Sequence, residues 1–266
     1  MFDEPPLSQG CGESNPHCGI DTALTTVVSF NPMSFFYPIF LDIKDRPCVV
    51  IGGGKVAERK ALSLLSAGAR VTVISPRITR GLKSLVRVKK IRYIPRGYIT
   101  GDLEGQWLAI SAAGSKEVNR AIRAEVRRLK ILLNVADNPD LCNFIVPSLV
   151  ERGSLKIAVS TSGKSPYMSK TIRQLLEKSL PEELGAFIEI LGAVRNKLLK
   201  ERAKNDKKLR IYACFLNSPM LLWIREGSTG KVNRFLKENL GKGYSLSNLG
   251  IKLKTAGSVF PAAGNG

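Results

Sequence analysis

Pro47-Cys48-Val49-Val50-Ile51-Gly52-Gly53-Gly54-Lys55-Val56-Ala57 is the stretch on which the architecture of this chain turns. Pro47–Ile51 is a short apolar run with two valines and reads as a buried strand. It leads directly into a G-x-G-x-x-A pattern. The residues that follow, Lys55–Ala67, place Val56, Ala57, Ala61, Leu64 and Leu65 on one helical stripe, which Gly68 closes. A strand, a glycine turn and a helix in this order form the setting that cradles a dinucleotide. Gly52 permits the tight turn, Gly54 lets the backbone approach a pyrophosphate, and Ala57 lets the helix pack close to the strand. Gly53, Lys55 and Val56 complete this set at a helix N-terminus, whose free N–H groups favour phosphate. The plainer alternative is a glycine turn that serves only as a connection.

Outward from this stretch the period alternates between strand and helix. Arg70–Ser75, Ile91–Pro95, Trp107–Ala113 and Ile131–Val135 read as further strands. A short helix is expected over Ile78–Val88. A longer one, capped by Ser115 and reaching Leu129, carries Val118, Ile122 and Val126 on one face. This alternation predicts an α/β fold with a parallel, Rossmann-type sheet and right-handed crossovers. Beyond it, Phe144–Val150 and Leu155–Thr161 read as a hairpin joined by Glu151-Arg152-Gly153-Ser154. Ser165 followed by Pro166 starts a helix, and Pro181 opens another that reaches about Lys204. From about Asn217 the chain is rich in Gly, Ser and Lys and reads as a weakly folded extension. The expected organisation is therefore an arm over 1–32, a nucleotide-binding domain over 33–143, a dimerisation region over 144–180, a helical domain over 181–216 and an extension over 217–266.

Composition narrows the chemistry. The chain of 266 residues has 41 basic and 22 acidic residues, a formal net charge of +19, which attracts polyanions. Residues 1–32 hold four of the acidic residues and none of the basic ones, so they read as a disordered or mis-started arm, with Met33 as the expected natural start. The single histidine, His17, excludes a histidine-based triad or a multi-histidine metal site from the body of the chain. The five cysteines are scattered without a Cys-x-x-Cys pair, which suits reduced thiols in a cytoplasm. Cys11, His17 and Cys18 lack a fourth ligand nearby, so no metal site is expected. The longest near-apolar stretch, Ile211–Ile224, is too short to span a bilayer and is interrupted by Asn217, Ser218 and Pro219.

Three further places carry candidate chemistry. The second strand ends Val73-Ile74-Ser75-Pro76-Arg77, without the carboxylate that usually holds the adenosine ribose. Arg77 either favours a 2′-phosphate there or is an exposed surface charge. The fifth strand ends Asn134-Val135-Ala136-Asp137-Asn138-Pro139, at the rim where an open parallel sheet binds ligands. On the residues alone, Asp137 is most simply an Asx-turn cap before Pro139. The loop Ser160–Ser165, with Thr161, Ser162, Gly163 and Lys164 before a helix, is either an anion site or a set of caps.

Taken in order, these strings resemble those of the precorrin-2 dehydrogenases, including the N-terminal module of siroheme synthase. The matching strings are Phe36-Tyr37-Pro38-Ile39-Phe40-Leu41, Val49 to Lys60, Trp107-Leu108-Ala109-Ile110, Asn134-Val135-Ala136-Asp137, Phe144-Ile145-Val146-Pro147-Ser148, and Ala158 to Pro166. They cover about residues 34–205. The resemblance implies NAD-dependent oxidation of precorrin-2 to sirohydrochlorin by a cytoplasmic homodimer, with iron insertion as a second activity in some members. It makes Asp137 the general base. It places Pro76, Arg77, Ser111 and Ala112 with the glycine turn at the cofactor, and Asn134, Thr161, Ser162, Gly163 and Lys164 at the tetrapyrrole. It implies no nucleic-acid or membrane partner.

The chain departs from the family pattern where many relatives carry a second serine, here Thr161, and where they carry Thr–Asp, here Ala113–Gly114. Only residues 206–266 follow the matching part, so the methyltransferase module fused to some siroheme synthases is not expected in this chain. A nucleotide-sensing or nucleic-acid-binding module is the alternative from another class. It would need clustered basic and aromatic residues, whereas aromatics make up 7% and the basic residues are spread along the chain.

Overall fold

The computed structural model describes residues 36–253. The expectations for residues 1–32, for the start at Met33 and for Cys11, His17 and Cys18 lie outside the described residues. Five parallel strands, β1 (Pro47–Ile51), β2 (Arg70–Ile74), β3 (Ile91–Ile94), β4 (Leu108–Ser111) and β5 (Leu132–Val135), form a sheet in the order β3-β2-β1-β4-β5. Helices α1 (Lys55–Ser66), α2 (Arg80–Arg87) and α3 (Lys116–Leu129) connect them.

Both faces of the sheet are buried, and the alternation along β1 shows how. Cys48 and Val50 join Ala57, Ala61, Leu64 and Leu82 on one side. Val49 and Ile51 join Ile122, Val126 and Leu133 on the other. A strand covered on both sides has no polar face, so β1 reads as an unbroken apolar run. The order reverses at β1: β2 lies on one side of it and β4 on the other. Crevices at the carboxyl ends of such strands are where ligands sit.

Helix starts follow capping chemistry. Thr79 and Ser115 accept the N–H groups of Leu82 and Val118, each at 3.2 Å, at the heads of α2 and α3. Glu125 of α3 is a buried carboxylate that the apolar spacing did not mark. It accepts the N–H groups of Gly101 at 3.0 Å and Leu103 at 3.3 Å, and the Tyr98 hydroxyl. It thereby pins the connection between β3 and β4 onto α3.

Three boundaries differ from expectation. The hairpin strands are β6 (Ser148–Arg152) and β7 (Leu155–Val159), joined by Gly153-Ser154. Phe144–Pro147 is not strand: the Phe144 carbonyl accepts Asn134 Nδ2 at 3.2 Å, and Pro147 has no N–H for a ladder. The helix expected over Pro181–Lys204 is α5 (Leu184–Lys200), preceded by α4 (Pro166–Ser179).

The third difference is larger. The helical domain does not end at 216. Helices α6 (Asn205–Leu216), α7 (Met220–Arg225) and α8 (Thr229–Leu240) close one core with α5. Met220, Ile224, Val232, Leu236, Tyr244 and Leu246, all from the supposed extension, pack with Phe187, Ile190, Val194, Leu198, Ile211 and Phe215. Phe215 meets Phe187 and Phe235 edge-on, with ring centroids 6.2 and 5.2 Å apart. Among the described residues, most of the Gly, Ser and Lys residues that suggested a loose tail occupy turns and exposed faces between these anchors.

Leu236 is fully buried. Leu236→Ala should therefore cost about 2–5 kcal/mol, read by denaturant unfolding. No loss of stability would mean that residues beyond 216 are an appendage after all.

Candidate active site

The glycine turn between β1 and α1 is shaped by what surrounds each residue. Gly52 has φ +119°, and a Cβ there would lie 2.6 Å from the Ala112 carbonyl oxygen. A Cβ on Gly53 would lie 1.8 Å from the Arg77 carbonyl oxygen. These two glycines are demanded by packing, because the ends of β4 and β2 press against the turn from either side. Gly54 is different: a Cβ there would meet nothing within 4 Å. It is also the N-cap of α1, which receives no side-chain cap. The free N–H groups of the first turn and the bare Gly54 backbone therefore face open space, a cradle that fits a pyrophosphate. Ala57 is fully buried and lets α1 lie close to the sheet. Lys55 and Val56 are exposed beside the turn.

At the carboxyl end of β2, Pro76, Arg77, Ile78, Lys83, Val86 and Tyr93 line a groove of about 490 Å³. The position that usually bears a ribose-binding carboxylate is Ser75, whose Oγ donates to the Arg77 carbonyl at 2.7 Å and fixes the turn. Lys83 was not anticipated; it brings a second cation to the groove beside Arg77.

Asp137 sits just past β5, two strands from β1, which corresponds to about 9–10 Å at the usual strand spacing. The β4 and β5 ends are tied together where the Ala136 N–H donates to the Ser111 carbonyl at 2.9 Å. Among the described residues the exposed Asp137 carboxylate forms no hydrogen bond or ion pair, so the Asx-turn role is not taken up. Asn134 is buried and donates to the Phe144 carbonyl, which commits its amide to the loop. Ser111 is fully buried and donates to Asn119 Oδ1 at 2.6 Å. Asn119 Nδ2 in turn donates to the Ala113 carbonyl at 3.2 Å. Ser111 thus shapes the loop through Ala112, while the Ala112 backbone meets the glycine turn.

The remaining candidates lie on a separate loop between β7 and α4. Ser162 and Gly163 take positive φ, 55° and 81°, and the Lys164 N–H donates to the Thr161 carbonyl at 3.0 Å. The Thr161 hydroxyl is held by the Ser165 N–H at 3.1 Å and lies 3.0 Å from Ser169 Oγ. It serves the cap of α4. Gly163 and the Lys164 ammonium remain on the surface.

Sequence reasoning missed Lys60, Cys142 and Asn143. Lys60, on α1, is pushed below its ordinary pKa by burial, with the Arg59 charge adding to that and Cys142 opposing it. Cys142 and Asn143 close the neck of the Asp137 loop. No spacing pattern marks Cys142 and Asn143, because most of their partners are backbone atoms.

Similarity to known proteins follows the same division of the chain. A family described as putative NAD(P)-binding matches residues 39–148, and one described as sirohaem biosynthesis protein central matches residues 152–179. The siroheme synthase of Vesicomyosocius okutanii is 39% identical over 173 residues, 65% of this chain and 37% of that protein. The siroheme synthase of Thioalkalivibrio sulfidiphilus is 31% identical over 223 residues, 84% of this chain and 46% of that protein. Over these residues the chain is similar to the siroheme synthases. It spans less than half the length of these curated relatives. Its fold is that of SirC, a precorrin-2 dehydrogenase, with a TM-score of 0.63 and 24% identity over 77% of this chain and 98% of that one. The glycine turn, the groove after β2 and the Asp137 loop all fall within the NAD(P)-binding match.

The glycines separate folding from binding. Gly54→Ala should leave stability within about 0.5 kcal/mol while weakening NAD binding about tenfold or more, because the methyl group enters the space a pyrophosphate needs. Gly53→Ala should cost about 1–3 kcal/mol or more through its clash with the Arg77 carbonyl. Thermal unfolding and NAD titration by calorimetry check both. A Gly54→Ala chain that binds NAD normally would remove the turn from the cofactor site.

Proposed function

We propose that this chain oxidises precorrin-2 to sirohydrochlorin with NAD, as a cytoplasmic homodimer, and that Asp137 is the general base. The observation that carries this reading is the pairing of an open, uncapped Gly54 cradle with an uncommitted carboxylate two strands away on the same carboxyl edge. The siroheme synthase relationship and the SirC-like fold support it. NAD bound at the turn would accept the hydride. The chain's own residues then have three tasks: α1 holds the phosphates, Asp137 accepts the proton released from the tetrapyrrole, and basic groups receive its carboxylates. Lys164, beside Gly163 before α4, is suited to the last task. Iron insertion is the second activity the relationship suggests, and the assay below reads it as well.

Dimerisation is supported by an unpartnered apolar face. Tyr167, Met168, Ile172 and Leu175 lie along one side of α4 and are exposed, Tyr167 to 76%. Leu149 of β6 and Val146 before it are exposed too. A patch of this kind on a charged protein marks an interface. Among the described residues no helix is long and apolar enough to cross a membrane.

The test is anaerobic incubation of the purified chain with precorrin-2 and NAD or NADP, with and without ferrous iron, followed by visible spectroscopy. Sirohydrochlorin should appear only with the dinucleotide. Asp137→Ala should retain NAD affinity and lose about 10²–10⁴ in turnover. Normal turnover in that variant would dismiss Asp137 as the base. A folded dimer inert with both dinucleotides would point instead to a nucleotide-sensing role.

A further inference from the structure

The loop bearing Asp137 leaves the sheet at Val135 and returns at Cys142. Two backbone bonds cross its neck, from the Asn138 N–H to the Val135 carbonyl at 3.4 Å and from the Asn143 N–H to the Leu133 carbonyl at 3.0 Å, and side chains close the rest. Cys142 Sγ accepts the Val135 N–H at 3.1 Å and lies 3.7 Å from Asn134 Nδ2. The S–H has two carbonyls within reach, those of Val135 and Asn138, each at 3.4 Å. Val135 and Asn138 bracket Ala136 and Asp137, so one thiol holds both sides of the carboxylate. The next residue extends the closure. Asn143 Oδ1 accepts the Leu133 N–H at 2.7 Å, and its Nδ2 donates to the Ile131 carbonyl at 2.8 Å. β5 is the edge strand of its sheet, and Asn143 covers that edge by imitating a neighbouring backbone.

We infer that Cys142 is a positioning residue for Asp137, fixing residues 136–138 so that the carboxylate stays at the rim of the sheet. The inference rests on the dehydrogenase reading, in which Asp137 takes the proton. Among the described residues the exposed carboxylate has no bond of its own to fix it, so its placement depends on the backbone that carries it. A sulfur atom is large enough to reach Val135 and Asn138 together. A serine oxygen is smaller and sits closer to its Cβ, so it keeps only part of the closure. An alanine loses every bond to the sulfur and keeps only the backbone bonds of the loop.

Cys142→Ala should lower kcat about ten- to a hundredfold, as small misplacements of a catalytic group do, with the KM for NAD changed less than about twofold. Cys142→Ser should recover part of that loss. The deciding readout is the double variant: in an Asp137→Ala background, Cys142→Ala should cost no further turnover, because it acts through the carboxylate. Hydrogen exchange at the Val135 amide, whose N–H the thiol accepts, should accelerate in Cys142→Ala, measured with or without activity. An unchanged kcat in active protein, an undiminished second loss in the double variant, or unchanged exchange at that amide would each overturn the role given to Cys142. A wild-type chain that binds NAD but leaves precorrin-2 untouched would instead overturn the dehydrogenase reading and, with it, the catalytic half of this one.

Discussion

The approach of Gly52 to the Ala112 carbonyl organises the functional half of this molecule. Backbone meets backbone at a distance that no Cβ tolerates, and the residue turns through a φ of +119° that an L side chain rarely adopts. Because Gly52 folds there, β1 passes into α1 with its first-turn N–H groups uncovered. Because Ala112 abuts the turn, the end of β4 is fixed, and Ser111 carries that position to β5 through the Ala136 N–H. The carboxylate of Asp137 is thus referenced to the glycine turn through two neighbouring strands. A sheet is well suited to this, since strand spacing varies little.

The loops around the site are held by neutral groups and the surface near them carries basic ones. Ser111, Asn119, Asn134, Cys142 and Asn143 hold the loops with uncharged hydrogen bonds. Such contacts carry no desolvation penalty for a charge and leave the local field to surface groups. Those groups, Arg77, Lys83 and Lys164 among them, belong to a chain with 41 basic and 22 acidic residues. A dinucleotide and a polycarboxylate tetrapyrrole would both be drawn to that field, and both associations should weaken as salt screens it.

The helical domain obeys a different logic. Its core is aromatic and aliphatic, with Phe187, Phe215, Trp223 and Phe235 in edge-on contact. Each of α6, α7 and α8 is short, and short helices are marginal alone. Their stability comes from closing on α5. For that reason the residues after 216 looked loose in sequence: no single segment there carries a convincing stripe, and the apolar anchors add up only when four helices meet.

The amino-acid sequence by itself established the sheet, its helices and the glycine turn. Apolar runs, capping residues such as Ser115 and Ser165, and the G-x-G-x-x-A pattern are local signals whose physics is complete within a dozen residues. It also drew attention to Asp137, most simply a cap on the residues alone and a base by the family resemblance. The fold adds that, among the described residues, the carboxylate has no bonded partner while backbone and thiol hold the loop around it. Cys142, Asn143, Lys83 and the buried Glu125 emerged only in three dimensions. Their partners are carbonyls, amides and open space contributed by segments distant in the chain, and one sequence encodes no periodicity for such contacts.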